Sequence, residues 1–303
     1  MSTTESQVMD RVVDTTRYPL ADWNSPLADW NSPLAEPNSA DWQDIVSRTR
    51  EELRTVGCSV LQDFIRQDLR DELRRECASV APLAYYDVET VNVYNIATDS
   101  SLPADHPGRI AMRRGNAFVP RDRIDEDFLI HRLYTSEPFQ RFVAACFELP
   151  ALHELADPLS GLCLNVVDPG MEHPWHFDTN EFTVSMLTQE STAGGVFEYC
   201  PNIRSAREEN FADVRDVLAG RGQRLARRLT LRPGDLQLFK GRYSLHRVSE
   251  VSGATARHSA IFAYSQRPGV ISSVARTRQL FGRVLPEHLI AEGSAVRVDQ
   301  LLD

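Results

Sequence analysis

Apolar residues recur through 41–56 at Trp42, Ile45, Val46, Leu53 and Val56, the three-to-four-residue spacing of an amphipathic helix, and Gly57 follows as its stop signal. Residues 65–80 repeat the stripe at Leu69, Leu73 and Cys77, which predicts a second helix; 58–61 and 85–96 read as strands. Residues 100–123 carry Pro, Gly and Arg with little periodicity and read as a long loop, and 128–147 reads as a third helix ending before Pro150.

From Gly161 the rhythm changes. Short apolar segments at 162–167, 175–178, 182–187, 196–199, 225–231, 235–240, 247–251 and 259–264 are separated by Asp168-Pro169-Gly170, Ala193-Gly194-Gly195, Arg232-Pro233-Gly234 and Ser252-Gly253. Eight short strands with regular breaks predict a double-stranded β-helix, a jelly-roll or cupin-like barrel, interrupted by a polar helix-like insertion at 202–219. The earlier helices brace the outer sheet of such a barrel. The expectation is therefore an α+β fold, one domain over 41–303 with its barrel core at about 162–267.

Residues 1–40 look different. The unit Leu-Ala-Asp-Trp-Asn-Ser-Pro occurs in tandem at 20–26 and 27–33, and a degenerate copy follows. Each proline disfavours helix at the residue before it, and three such short copies are no solenoid, so the reading is a flexible N-terminal arm.

Composition narrows the partners. With 303 residues and a net charge of −10, binding to nucleic acid through phosphates is not expected. No apolar run is long enough to span a membrane, and no basic flank with an apolar core marks a secretory signal. The five cysteines (Cys58, Cys77, Cys146, Cys163, Cys200) are scattered without a CxxC pair, as expected of free thiols in a reducing cytoplasm. Oligomeric state leaves no signal in this sequence.

The chemistry concentrates in His173-Pro174-Trp175-His176-Phe177-Asp178-Thr179-Asn180. On an extended strand residues i and i+2 share a face, so His176 and Asp178 can grip one metal ion side by side. The best second imidazole is His246, which follows the turn and apolar strand from Pro233 to Phe239 and the Lys240-Gly241 pair. Two His and one carboxylate on one face leave open positions for substrate and O2. Further on, Arg257 suits bidentate pairing with a carboxylate, and Ser259 points the same way at i+2.

The set His176-x-Asp178, His246 and Arg257-x-Ser259 resembles the Fe(II)/2-oxoglutarate-dependent oxygenases, over the barrel and the helices before it. That resemblance implies that His176, Asp178 and His246 bind Fe(II), and that 2-oxoglutarate places its far carboxylate on Arg257 and Ser259. Asn165, on the strand before the HxD motif, is a candidate further contact to 2-oxoglutarate. Around the first ligand the sequence is most similar to enzymes acting on free amino acids, including carrier-independent halogenases in which Gly replaces the carboxylate. Here Asp178 remains. Hydroxylation of an unactivated C–H in a small polar substrate, an amino acid or derivative of secondary metabolism, is the implied reaction; desaturation or cyclisation would use the same site.

His173, Arg113, Arg114 and Asn180 are candidate substrate contacts, with Glu172 and Tyr199 behind them. His173 lies three residues before His176, out of phase on a regular strand, and is therefore placed outside the ligand set. His258 is expected to face away from Arg257, Trp175 and Phe177 to pack in the core, and His106, His131, His153 and His288 to lie outside the chemistry. Two readings from other classes remain: a zinc hydrolase, in which Arg257-x-Ser259 has no role, and a non-catalytic cupin-like binding protein.

Overall fold

The computed structural model describes residues 12–14, 17–18, 40–96, 101–180, 182–293 and 301–302. In chain order the elements are α1 (Ala40–Val56), β1 (Cys58–Leu61), α2 (Arg70–Val80), β2 (Glu89–Val91), β3 (Met112–Arg114), β4 (Ala117–Val119), α3 (Leu129–Tyr134), α4 (Glu137–Cys146), β5 (His153–Glu154), β6 (Leu162–Val167) and β7 (His173–His176). There follow β8 (Thr183–Gln189), β9 (Phe197–Cys200), α5 (Phe211–Leu218), β10 (Arg227–Leu229), β11 (Leu236–Phe239), β12 (Leu245–Val248), β13 (Arg257–Phe262), β14 (Tyr264–Ser265), α6 (Val274–Phe281) and α7 (Pro286–Ala291).

Two antiparallel sheets form the jelly roll. One has six strands in the order β1-β11-β8-β13-β6-β4; the other has four, β10-β9-β12-β7, with β7 at its edge. The large sheet divides its side chains by parity, as a pleated strand must. Leu162, Leu164 and Val166 of β6, Val184 and Met186 of β8, Leu236 and Leu238 of β11, and Ala260 and Phe262 of β13 enter the main core. Trp42, Val46 and Leu53 of α1, Leu73, Cys77 and Val80 of α2, and Phe139, Phe142 and Val143 of α4 meet them from the helical layer. The alternate residues, among them Asn165, Ser185, Gln237, Arg257 and Ser259, line a cavity between the sheets. A one-residue slip in any of these strands would exchange core and cavity, so the apolar parity itself pins the register.

Several expectations are corrected. The helix expected at 128–147 is two, because Ser136 caps the second through its hydroxyl, which accepts from Phe139 N, and Pro138 follows in the first turn. The helix expected from 65 begins at Arg70 after a 3₁₀ turn, and the strand expected at 85–96 is limited to Glu89–Val91. The loop expected at 100–123 contributes β3 and β4, and β4 extends the six-stranded sheet. Gly57 does stop α1, at φ +67°.

Within the stretch read as a flexible arm, Val12, Val13 and Tyr18 are buried in the main core, and Val13 bridges to Ile65. These residues belong with the body; the tandem repeat lies outside the described residues. All five cysteines are free and buried. No helix among the described residues is long and apolar enough to cross a membrane.

Candidate metal centre

His176 and His246 sit opposite each other on paired strands, β7 against β12, with ring centroids 4.1 Å apart. Asp178 follows β7, held where its backbone N–H donates to Gly241 O at 3.1 Å. Its Oδ1 lies 3.6 Å from His176 Nε2 and 3.4 Å from His246 Nε2. One donor atom from each of the three falls within 4.8 Å of the others.

Each donor is oriented by a second contact. His176 Nδ1 is 2.8 Å from Pro174 O and His246 Nδ1 is 2.9 Å from Ser244 O. A carbonyl can only accept, so both Nδ1 atoms carry a proton and both Nε2 atoms are turned toward Asp178. The second carboxylate oxygen, Oδ2, accepts from Thr183 Oγ1 at 2.5 Å, which leaves Oδ1 toward the imidazoles. Gly241 packs against that carboxylate so closely that a β-carbon would land on Oδ2. Burial, then His246, lowers His176 to about 4, so its imidazole is neutral at physiological pH. Burial alone would raise Asp178, but His246 and His176 hold it well below the usual carboxylate range. Two imidazoles and one carboxylate suit a divalent first-row metal, and the donor set fits a facial iron site.

Arg257 and Ser259 face the same cavity from β13, and Arg257 Nη1 donates to Ser259 Oγ at 2.5 Å. Burial pushes the Arg257 guanidinium down to about 10, and among the described residues it has no carboxylate partner. Asn165 pairs with Ser259 across β6 and β13, and its Oδ1 accepts from Asn116 Nδ2 at 2.9 Å.

His173 is the main surprise. The β7–β12 register runs His176↔His246 and then His173↔Val248, so β7 carries one extra residue. That irregularity shifts the phase of the strand. The His173 ring therefore stacks on His176 at 3.8 Å and 18°, and it lines the cavity. The expectation that His173 is out of phase with His176 is thus corrected, while its place outside the donor group is as expected.

Asn180 also lines the cavity. Arg114 is buried and ion-paired with Glu89 at 3.0 Å, while Arg113 is exposed and does not reach the cavity wall. Glu172 lines a separate surface pocket, and Tyr199 packs with Cys58 and Phe239. His258 is buried behind Arg257, outside the lining, and Phe177 lies in a second core with Val93 and Tyr94. Sequence reasoning missed Thr183, Gly241 and Arg276; Thr183 and Arg276 line the cavity. Gly241 was visible beside Lys240, but nothing in a linear pattern ties it to Asp178.

The Halogenase D family model matches residues 41–279, from the first helix through most of α6. The chain belongs to the Halogenase D family. The three candidate metal donors, His176, Asp178 and His246, all lie within the span this Halogenase D match covers. No curated protein sequence matches it. Among solved structures, the non-heme alpha ketoglutarate dependent carbocyclase SnoK from nogalamycin biosynthesis is similar at 13% identity and TM-score 0.50, over 76% of this chain and 89% of that one. EctD from S. alaskensis aligns at 17% identity and TM-score 0.48, over 78% of each chain. A 2OG-Fe(II) oxygenase family oxidoreductase from Burkholderia pseudomallei aligns at 16% identity and TM-score 0.47, over 74% of this chain and 92% of that one. At 13% identity the likeness to SnoK speaks to the fold alone.

Proposed function

We propose that this protein hydroxylates an unactivated C–H of a small polar substrate, a free amino acid or derivative of secondary metabolism, in the cytoplasm. The observation that carries the reading is Asp178 beside the two imidazoles. A carboxylate in the third ligand place leaves no vacancy for halide, so hydroxylation rather than halogenation is the outcome, despite the family's name. Five free thiols support a reducing compartment.

In this reading His176, Asp178 and His246 hold Fe(II). Arg257 takes the far carboxylate of 2-oxoglutarate, with Ser259 locking the guanidinium and Asn165 adding an amide contact. Once bound, iron and 2-oxoglutarate supply an O2-dependent oxidation coupled to decarboxylation to succinate. The chain positions and insulates. Thr183 holds Asp178 on one oxygen, and Gly241 leaves the space that carboxylate needs. Phe118, Phe182, Phe197 and Phe239 give apolar walls to a cavity of about 170 Å³. Those walls keep bulk water from the reacting carbon. His173, flat against His176, contacts the substrate, with Asn180 at the rim. The catalytic unit is one domain over 41–303.

Anaerobic Fe(II)-loaded protein with 2-oxoglutarate is expected to give a weak metal-to-ligand charge-transfer band in the visible, lost in His176→Ala and Asp178→Ala. Absence of the band in folded, iron-replete protein overturns the assignment. Product that gains one oxygen supports hydroxylation, and a chlorinated product from the unmodified chain refutes it. Asp178→Gly is expected to lose hydroxylation.

A further inference from the structure

The turn at 240–244, between β11 and β12, touches two of the three metal donors. Gly241 O accepts from Asp178 N at 3.1 Å, and Ser244 O lies 2.9 Å from His246 Nδ1. Whatever holds this turn therefore holds a carboxylate and an imidazole together.

The polar insertion at 202–219 supplies that hold, from outside the cavity lining. Asn202 N donates to Ser244 Oγ at 3.0 Å, Arg204 N to Tyr243 O at 3.2 Å, and Arg204 Nε to Arg242 O at 2.6 Å. The Arg204 guanidinium also lies over the ring of Phe177, with Cζ 3.7 Å from the centroid. Phe177 stands between His176 and Asp178 in the chain, so one side chain bears on both the ligand segment and the ligand turn.

A second segment closes the arrangement. The Arg204 side chain is fully buried, and its Nη1 donates to Glu209 Oε2 at 2.9 Å and to Leu302 O at 3.1 Å. Glu209 Oε1 accepts from Leu302 N at 2.5 Å, and Arg242 Nη2 donates to Leu301 O at 3.5 Å. Leu301–Leu302 is thus held through its backbone by two guanidinium groups and a carboxylate, charge-assisted contacts that are stronger than neutral ones. The Leu302 side chain packs on the same small core as Phe177.

We infer that Arg204 is a positioning residue for the metal centre, and that Leu301–Leu302 is a strap that completes its hold on the 240–244 turn. This rests on His176, Asp178 and His246 binding a metal ion, and it adds what keeps those donors in place before the ion arrives. Arg204 acts through Phe177, Arg242 and Tyr243. A purely structural arginine would support thermal stability and leave the metal affinity of the folded chain alone. A positioning one sets that affinity, because donors that drift must be gathered again on binding.

The test is anaerobic titration of Fe(II) into the full chain against a metal-binding dye, at a temperature where far-UV circular dichroism shows the variants folded. Arg204→Met keeps a long side chain over Phe177 and removes the donors. Fe(II) affinity is expected to fall by about 10-fold, the lower end of what groups behind metal ligands contribute. Arg204→Lys keeps the cation and should recover part of that loss. Leu302→Pro removes the N–H given to Glu209 and should weaken Fe(II) binding by about 3-fold, the low end for one hydrogen bond. In the Arg204→Met background the same change should add little, since the strap works through the guanidinium. Parent-like affinity in folded Arg204→Met or in Leu302→Pro, or two effects that simply add, overturns the inference. Should Arg204→Met fail to fold, Leu302→Pro decides alone. A parent chain that binds no Fe(II) instead strikes the underlying reading of the metal centre.

Discussion

Thr183 Oγ1 donates to Asp178 Oδ2 at 2.5 Å, tying the first residue of β8 to the carboxylate that follows β7. The contact fixes which oxygen of Asp178 faces the imidazoles. Thr183→Val keeps the shape and removes the donor, so Fe(II) affinity is expected to fall by about 10- to 100-fold. Thr183→Ser should restore most of it. Competition with a metal-binding dye reads this without any turnover. An unchanged affinity in the valine variant would show the hydroxyl to be idle.

Gly241 presents the complementary test. A methyl group there meets Asp178 itself, so Gly241→Ala should displace the carboxylate while the sheets persist. The expected result is lost Fe(II) binding with a far-UV circular dichroism spectrum like that of the parent. Retained iron affinity would mean that Asp178 yields to the methyl group and still binds.

Acid should loosen the metal-free protein in a defined window. Burial, then Arg257, lowers His258 from 6.5 to about 4, and His176 moves by the same amount. Between those values the unfolded chain binds protons that the folded chain refuses. Stability is therefore fully present above about pH 6.5 and falls as pH drops toward 4, by up to about 3 kcal/mol for each histidine. Thermal melts of apo protein from pH 7 to pH 4 should show this, with a shallower slope in His258→Leu. A slope identical to that of the parent would remove His258 from the account.

Asp157 fastens the C-terminal helices to the barrel. It is fully buried; Oδ1 accepts from Leu159 N and Ser160 N, both at 2.8 Å, and from His288 Nε2 at 3.3 Å. Its Oδ2 accepts from Ser272 N at 2.9 Å, just ahead of the helix that carries Arg276. Asp157→Ala strands all four donors. It should cost about 3–5 kcal/mol and lower Tm by on the order of 10 °C. A change of only a degree or two would mean that water replaces the carboxylate.

How much of this could be read from the sequence depends on how local each relationship is. His176 with Asp178, and Arg257 with Ser259, share faces by two-residue spacing, which any strand provides. The apolar parity of β6, β8, β11 and β13 is equally local and marks the barrel. His173 defeated the same rule because one inserted residue reverses strand phase, and Pro174, the one local sign of an edge or a bulge, does not say where the phase changes. β4 has three residues, too few for alternation to register. Thr183, Gly241 and Arg276 matter only through chain crossings that bring β8, the turn before β12 and a helix beyond the barrel to one carboxylate or one cavity.

Because β7 lies at the rim of the small sheet, its ladder bonds run to β12 alone. A metal held by His176, Asp178 and His246 would thus fasten an otherwise half-stitched seam. Amide hydrogens of β7 should exchange slowly in the iron-loaded protein and quickly after chelation, while those of the six-stranded sheet barely change. Loss of iron would then open the protein from one border inward, with the barrel behind it intact.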